Sequence, residues 1–131
     1  MTHEFPVTVY YEDTDMGGVV YYANYLKFIE RARSTWVAEL GVDQMALKDQ
    51  GIVFVVRKVD ADYLRPARLG DKLTVVSQVE ATTPARWVLR QDVMAEGQVI
   101  FTAKVTIVAI NHDGVPQKLP AELRRNKEST E

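Results

Sequence analysis

The sequence predicts an α+β fold in which one long helix packs on a curved antiparallel sheet of about five strands. Two observations lead there. A single strand-like segment and a long helical segment come first, and after Gly51 the apolar period shifts from helical to alternating for most of the remaining chain. Length sets the scale. With 131 residues, 47% of them hydrophobic, and no linker, repeat or low-complexity tract, residues 1–131 read as one domain. A domain of this size buries roughly 70% of its unfolded surface.

The elements follow in order. Phe5, Val7 and Val9 alternate with Thr8 and Tyr10, so residues 5–11 are expected as a half-buried strand. Tyr22, Tyr25, Leu26, Ile29, Trp36, Val37 and Leu40 recur at helical spacing, with Lys27, Glu30, Arg31 and Ser34 on the other side. That pattern predicts a helix over residues 22–40, stopped by Gly41. A short helix over 43–50 is closed by Gly51. The Val-rich run 52–64 is the next strand, and Arg65-Pro66-Ala67-Arg68-Leu69-Gly70-Asp71 supplies the turn after it. Leu73, Val75, Val79 and Ala81 mark another strand, broken by Thr82-Thr83-Pro84-Ala85. Trp87, Leu89 and Val93 mark the one after, and Glu96-Gly97 is a tight hairpin. The last strand, 99–110, carries apolar residues on both faces, as expected of a strand covered on both sides. Asn111-His112-Asp113-Gly114 then turns the chain.

Composition removes several classes of function. There is no cysteine, so disulfides, thiolate nucleophiles and Cys-ligated zinc are excluded. His3 and His112 are the only histidines, and His112 sits in a turn. A net charge of −2 with interspersed signs gives no footprint for nucleic acid. No run of about 18 apolar residues exists to span a bilayer, and the first residues lack the basic flank and apolar core of a signal peptide. A cytoplasmic location is the expectation.

The most informative stretch runs from Tyr10 to Tyr25. It sets Glu12, Asp13 and Asp15 and the pair Gly17-Gly18 immediately before an aromatic-rich helix. The first N–H groups of a helix have no intrahelical partner, so a carboxylate there lies beside ready donors for a developing oxyanion. This combination suits chemistry on a carbonyl. Ordinary readings compete with it: Asp15 as a helix N-cap or Asx turn, the glycines as positive-φ turn residues, the aromatic stripe as core. Asp13 is expected in loop hydrogen bonding. A calcium loop fails on position, because Gly17 takes a ligand place and Asn24 stands where a bidentate Glu belongs. No metal site is expected. No Gly-x-Ser-x-Gly elbow is present for a serine hydrolase.

The residues Tyr11-Glu12-Asp13-Thr14-Asp15, Gly18-Val19-Val20-Tyr21, Asn24-Tyr25, Glu30-Arg31-Ala32-Arg33, Phe54-Val55-Val56-Arg57, Tyr63 and the 65–71 turn together resemble the hotdog-fold thioesterases. The resemblance is to the branch of YbgC-type acyl-CoA thioesterases and 4-hydroxybenzoyl-CoA thioesterases, and it spans nearly the whole chain. It implies the hotdog fold, hydrolysis of an acyl-CoA to a free carboxylic acid, and Asp15 as the catalytic carboxylate. It also implies that the thioester oxygen is held by backbone N–H at a helix start near Tyr22. Tyr22 stands where YbgC-type members commonly carry a histidine, and the 4-hydroxybenzoyl branch can have tyrosine there.

Asp15 as general base and Asp15 as nucleophile are both compatible with this chemistry, and the departing thiol, with a pKa near about 8.5, needs no strong acid. Gly18, Val19 and Tyr25 are the expected acyl contacts. Arg57, Arg65 and Arg86 are candidates for the phosphates of coenzyme A, which is part of the substrate and the only cofactor-like group implied. Family members are dimers with sites shared between subunits, so a homodimer, and a homotetramer as a dimer of dimers, is expected. A non-catalytic hotdog module that binds an acyl group or acts as a scaffold at the periphery of a membrane complex is the alternative.

Overall fold

A computed structural model describes residues 2–124 of the chain. The elements are β1 (Thr2–Thr8), α1 (Asn24–Glu39), α2 (Gln44–Asp49), β2 (Val53–Tyr63), β3 (Lys72–Thr82), β4 (Arg86–Ala95), β5 (Gln98–Ile110) and β6 (Pro116–Gln117). One antiparallel sheet takes the order β1-β3-β4-β5-β2, and β6 pairs with β5 beyond the end of β4. Register shifts at Val56/Lys58, Val79/Ala81 and Val93/Met94 bend three of the ladders. Among the described residues no helix is long and apolar enough to cross a membrane.

α1 lies on one face of this sheet because its apolar residues return every third or fourth position. Tyr25, Phe28, Ile29, Ala32, Trp36 and Val37 are buried, and they join Val75, Leu89, Val93, Phe101 and Val105 of the sheet in one core. Each large side chain buried this way contributes about 1.5–3 kcal/mol. Two polar side chains, Gln91 and Ser77, lie wholly inside that core. Gln91 donates through Nε2 to the Ile29 carbonyl at 3.0 Å and to Ser77 Oγ at 2.9 Å, and its Oε1 accepts Arg33 Nη1 at 3.0 Å. This clamp fixes the rotation of α1 over the sheet and thereby the direction of its first turn.

Several local features depart from the expected boundaries for identifiable reasons. β1 ends at Thr8 rather than Tyr11, since the Val9 N–H and carbonyl are taken by Asp71 and Gly70 of a distant turn. The chain then winds into a 3₁₀ turn, Tyr11–Asp13. α1 begins at Asn24, two residues later than its apolar pattern suggests, and Leu26 is exposed. β5 is buried along its α1-facing side from Phe101 to Ala109; among the alternate residues Ile100 is buried, Val108 and Ile110 are half-buried and Lys104 is exposed. β6 had no legible signal. The hairpin at Glu96-Gly97 has both residues at positive φ (51° and 77°), and the turn at Asn111–Gly114 is closed by Asn111 Oδ1 accepting from Asp113 and Val115.

β2 forms one edge of the sheet. It exposes Val53, Val56, Val59 and Tyr63 between charged residues, and among the described residues its outer backbone groups have no partner strand. A long open edge of this kind is a template for pairing with another strand.

Candidate active site

The two aspartates of the loop have separate tasks. Asp13 is buried, its Oδ2 accepts the Tyr10 N–H at 2.9 Å, and its carbonyl accepts the Tyr21 N–H at 3.0 Å and Asn24 Nδ2 at 2.9 Å. It ties the end of the first strand to the start of α1, which is the loop hydrogen bonding expected of it. Asp15 sits at the exposed tip. Its N–H donates to the Val19 carbonyl at 3.0 Å, its carbonyl accepts Gly18 N–H at 3.0 Å, and its Oδ1 accepts Gly17 N–H at 2.9 Å. This is an Asx turn and not a helix cap, for the residue capping α1 is Ala23, without a side-chain bond. The turn occupies one carboxylate oxygen. Among the described residues Oδ2 has no hydrogen-bond partner.

The glycines make the turn possible. Gly18 has φ +77°, and a side chain placed on it would meet nothing within 4 Å. Val19, half-buried, bridges to Arg68, while the Val20 N–H donates to the Ala67 carbonyl at 2.8 Å. The acidic loop is thus laid against the 65–71 turn. Tyr25 anchors that turn from beneath: its hydroxyl accepts the Ala67 N–H at 3.1 Å and its ring stacks on Phe101 with centroids 5.0 Å apart. Burial pushes the Tyr25 hydroxyl pKa up.

The first turn of α1 is tightened. Asn24 N–H donates to Tyr21 at 2.8 Å and Leu26 N–H to Ala23 at 3.2 Å, both three residues back. The Tyr22 carbonyl accepts the Tyr63 hydroxyl at 3.1 Å. Among the described residues the N–H groups of Tyr22, Ala23 and Tyr25 have no backbone acceptor. Beside them Val20, Tyr22, Tyr25, Tyr63, Leu64, Arg65 and Pro66 line an open cleft of about 270 Å³. Tyr22 itself is exposed. A cleft of similar volume, about 260 Å³, lies farther along α1 between Glu30, Arg33 and Phe54, and includes no residue of the acidic loop.

Tyr22, Tyr25 and Arg65 thus share the cleft, Arg65 bonded to Gln98 just past β2, while Asp15, Gly18 and Val19 lie on the adjoining loop, held to the 65–71 turn, and do not line it. Arg57 and Arg86 do not join them. Arg57 is the extra residue at the β2 register shift, and Arg86 opens β4 opposite Val108, which pairs in turn with Val55 at the far end of β2. Two residues with evident positions at the site had no assigned role: Asn24, which ties the helix start to Asp13, and Tyr63. A polar residue at a helix start and a tyrosine at a strand terminus are the only traces they leave in sequence.

The thioesterase-like superfamily model matches residues 9–126. The chain is 36% identical over 127 residues to the acyl-CoA thioester hydrolase YbgC of Escherichia coli, spanning 92% of this chain and 95% of that one. To the acyl-CoA thioesterase YbgC of Haemophilus influenzae it is 38% identical, over 92% of this chain and 90% of the relative. Among solved structures, a probable thioesterase from Bartonella henselae superposes with a TM-score of 0.85 at 36% identity, covering 92% of this chain and 100% of that one. A 1,4-dihydroxy-2-naphthoyl-CoA thioesterase from Synechocystis superposes at 0.89 with 22% identity, a likeness of fold, across 96% of this chain and 95% of its own. The expected hotdog fold is the one observed.

Proposed function

The chain belongs to the thioesterase-like superfamily, and from that membership we propose that it hydrolyses acyl-CoA thioesters to a carboxylic acid and coenzyme A. The observation that supports the reading is an uncommitted Asp15 oxygen on the loop that leads directly into the start of α1, where N–H groups have no backbone acceptor among the described residues. Attack on a thioester builds negative charge on the carbonyl oxygen, and fixed N–H donors aimed at that charge lower the barrier without reorganising.

Asp15 acts in one of two ways. As general base it takes a proton from water while the water oxygen bonds to the carbonyl carbon; as nucleophile its own oxygen forms that bond, giving a mixed anhydride that water then opens. In both, the C–S bond breaks and the thiolate leaves with its electron pair. Tyr22 contributes through its backbone, its phenol being a poor base at neutral pH with a reference pKa near about 10. Gly18 and Val19 leave room for the thioester beside Asp15, with Tyr25 at the floor of the cleft and Arg65 at its rim toward the phosphates. No metal or separate cofactor enters this scheme.

Arg57 and Arg86 serve a site only if a second copy brings them. A homodimer made by antiparallel pairing of two β2 edges sets the Val53 end of one strand against the Tyr63 end of the other. The long edge, unpaired among the described residues and exposing Val53, Val56, Val59 and Tyr63, supports that pairing, and a further pairing of dimers gives the tetramer. Sedimentation equilibrium tests it: dimer or tetramer mass is expected, with Val59→Lys shifted toward monomer, and a monomeric native chain at micromolar concentration would rule it out. A cytoplasmic enzyme, with no nucleic-acid partner and at most peripheral contact with a membrane complex, is the setting proposed.

The competing reading is an acyl-binding or scaffold module without turnover. A panel of short, medium, long and aryl acyl-CoAs, followed by a chromogenic thiol reagent, separates the two. The chain has no cysteine to contribute background. Release of thiol from one class supports hydrolysis, and no release from any class leaves the binding module.

A further inference from the structure

We propose that Tyr63 is a positioning residue for the oxyanion-binding amides: its hydroxyl holds the Tyr22 carbonyl and so fixes the orientation of the peptide that leads into α1 and carries the Ala23 N–H. The inference rests on the reading that these amides hold the thioester oxygen. Tyr22 lies just outside α1, whose N-cap is Ala23, so no helical N–H is due to its carbonyl. Leu26 donates to Ala23 at 3.2 Å, and the Tyr63 hydroxyl, 41 residues away in sequence, donates to Tyr22 at 3.1 Å. A side chain thus supplies the donor that the helix does not, and it sets the plane of the peptide that carries the Ala23 N–H.

Tyr63 is built to hold that position. Its ring meets Tyr22 edge-on at 6.2 Å, Tyr25 at 5.6 Å and Phe101 at 5.0 Å, and Phe101 is wholly buried, so the ring has a rigid backstop. The bond ties the end of β2, the open edge of the sheet, to the start of α1. Burial raises the Tyr63 pKa, with the nearby Tyr22 adding to the rise, which keeps the hydroxyl a proton donor throughout the neutral range.

Tyr63→Phe in the full chain keeps the ring and deletes only the donor. kcat is expected to fall about tenfold with KM within about twofold, a loss confined to the transition state, at unchanged thermal midpoint. Amide hydrogen exchange gives a readout independent of turnover: with the Tyr22 carbonyl released, the helix start loosens and the bonded Asn24 and Leu26 N–H groups exchange faster. A kcat within twofold of the native value, a loss in KM alone, or unchanged exchange of both amides overturns the inference. Asp15→Asn measured in parallel separates the two levels. If the native chain hydrolyses no acyl-CoA, or if Asp15→Asn keeps full turnover, the functional reading fails, and the exchange comparison still decides the role of Tyr63.

Discussion

The Asp15 carboxylate and the Gly17 backbone are locked together, Oδ1 accepting the Gly17 N–H at 2.9 Å, while a β-carbon on Gly17 would lie 3.3 Å from that same oxygen. The neighbouring Gly18 differs, with φ at +77° and open space around it. Two adjacent glycines thus serve for unlike reasons, one by the room it leaves for the oxygen that orients the Asp15 carboxylate and one by backbone conformation. Gly17→Ala is expected to displace the carboxylate and lower kcat several-fold with little loss of stability. Gly18→Ala is expected to cost about 1–2 kcal/mol, the left-handed penalty of an L-residue. Thermal melts and steady-state kinetics on both variants check this, and equal effects on stability would contradict it.

Asp13 and Asp15 separate in the same way. Asp13 is buried and fills the Tyr10 N–H, so Asp13→Ala leaves that donor unsatisfied and is expected to cost about 1–3 kcal/mol. Urea unfolding measures the loss. An Asp13→Ala protein as stable as the native one would show that the loop is held by other means.

Tyr25 gives the fold a dependence on alkaline pH. Burial, the largest cause, raises its pKa above 10.0, Ala67 hydrogen bonding opposes this, and Tyr63 and Asp71 add to the rise. A native pKa above the unfolded one means the native state holds the proton more tightly. The stability from this group is therefore complete below about pH 10 and lost as pH climbs through the raised native value. Tyr25→Phe is expected to flatten the fall of Tm above pH 10, while at neutral pH it destabilises by about 1–3 kcal/mol because the Ala67 N–H loses its acceptor. An unchanged alkaline slope would remove Tyr25 as its source.

Much of this molecule was legible in its residues because period reports burial. α1, α2 and β2 to β5 fall where the alternation of apolar side chains places them, and Asp15 stands in a motif with few other uses. What escaped depends on partners far away in the chain. β1 stops early because Gly70 and Asp71 take the Val9 backbone, and the first turn of α1 tightens where Tyr63 reaches the Tyr22 carbonyl. Gln91 interrupts the apolar series Trp87, Leu89 and Val93 with a polar side chain, yet it is wholly buried, since Ile29, Ser77 and Arg33 satisfy it together. Arg57, Arg65 and Arg86 look alike in sequence as phosphate candidates. Arg65 lies just past the Tyr63 end of β2, Arg57 within the strand and Arg86 near its Val55 end, a separation set by strand length and pairing that no local pattern of charge conveys.

Asp15→Asn is the most direct test of the central claim, because the amide oxygen can still accept the Gly17 N–H and preserve the turn while the basic and nucleophilic oxygen is lost. With the best acyl-CoA of the panel, kcat is expected to fall at least about a hundredfold at unchanged thermal midpoint. Full turnover by a correctly folded Asp15→Asn protein would contradict the assignment of Asp15 as the acting carboxylate.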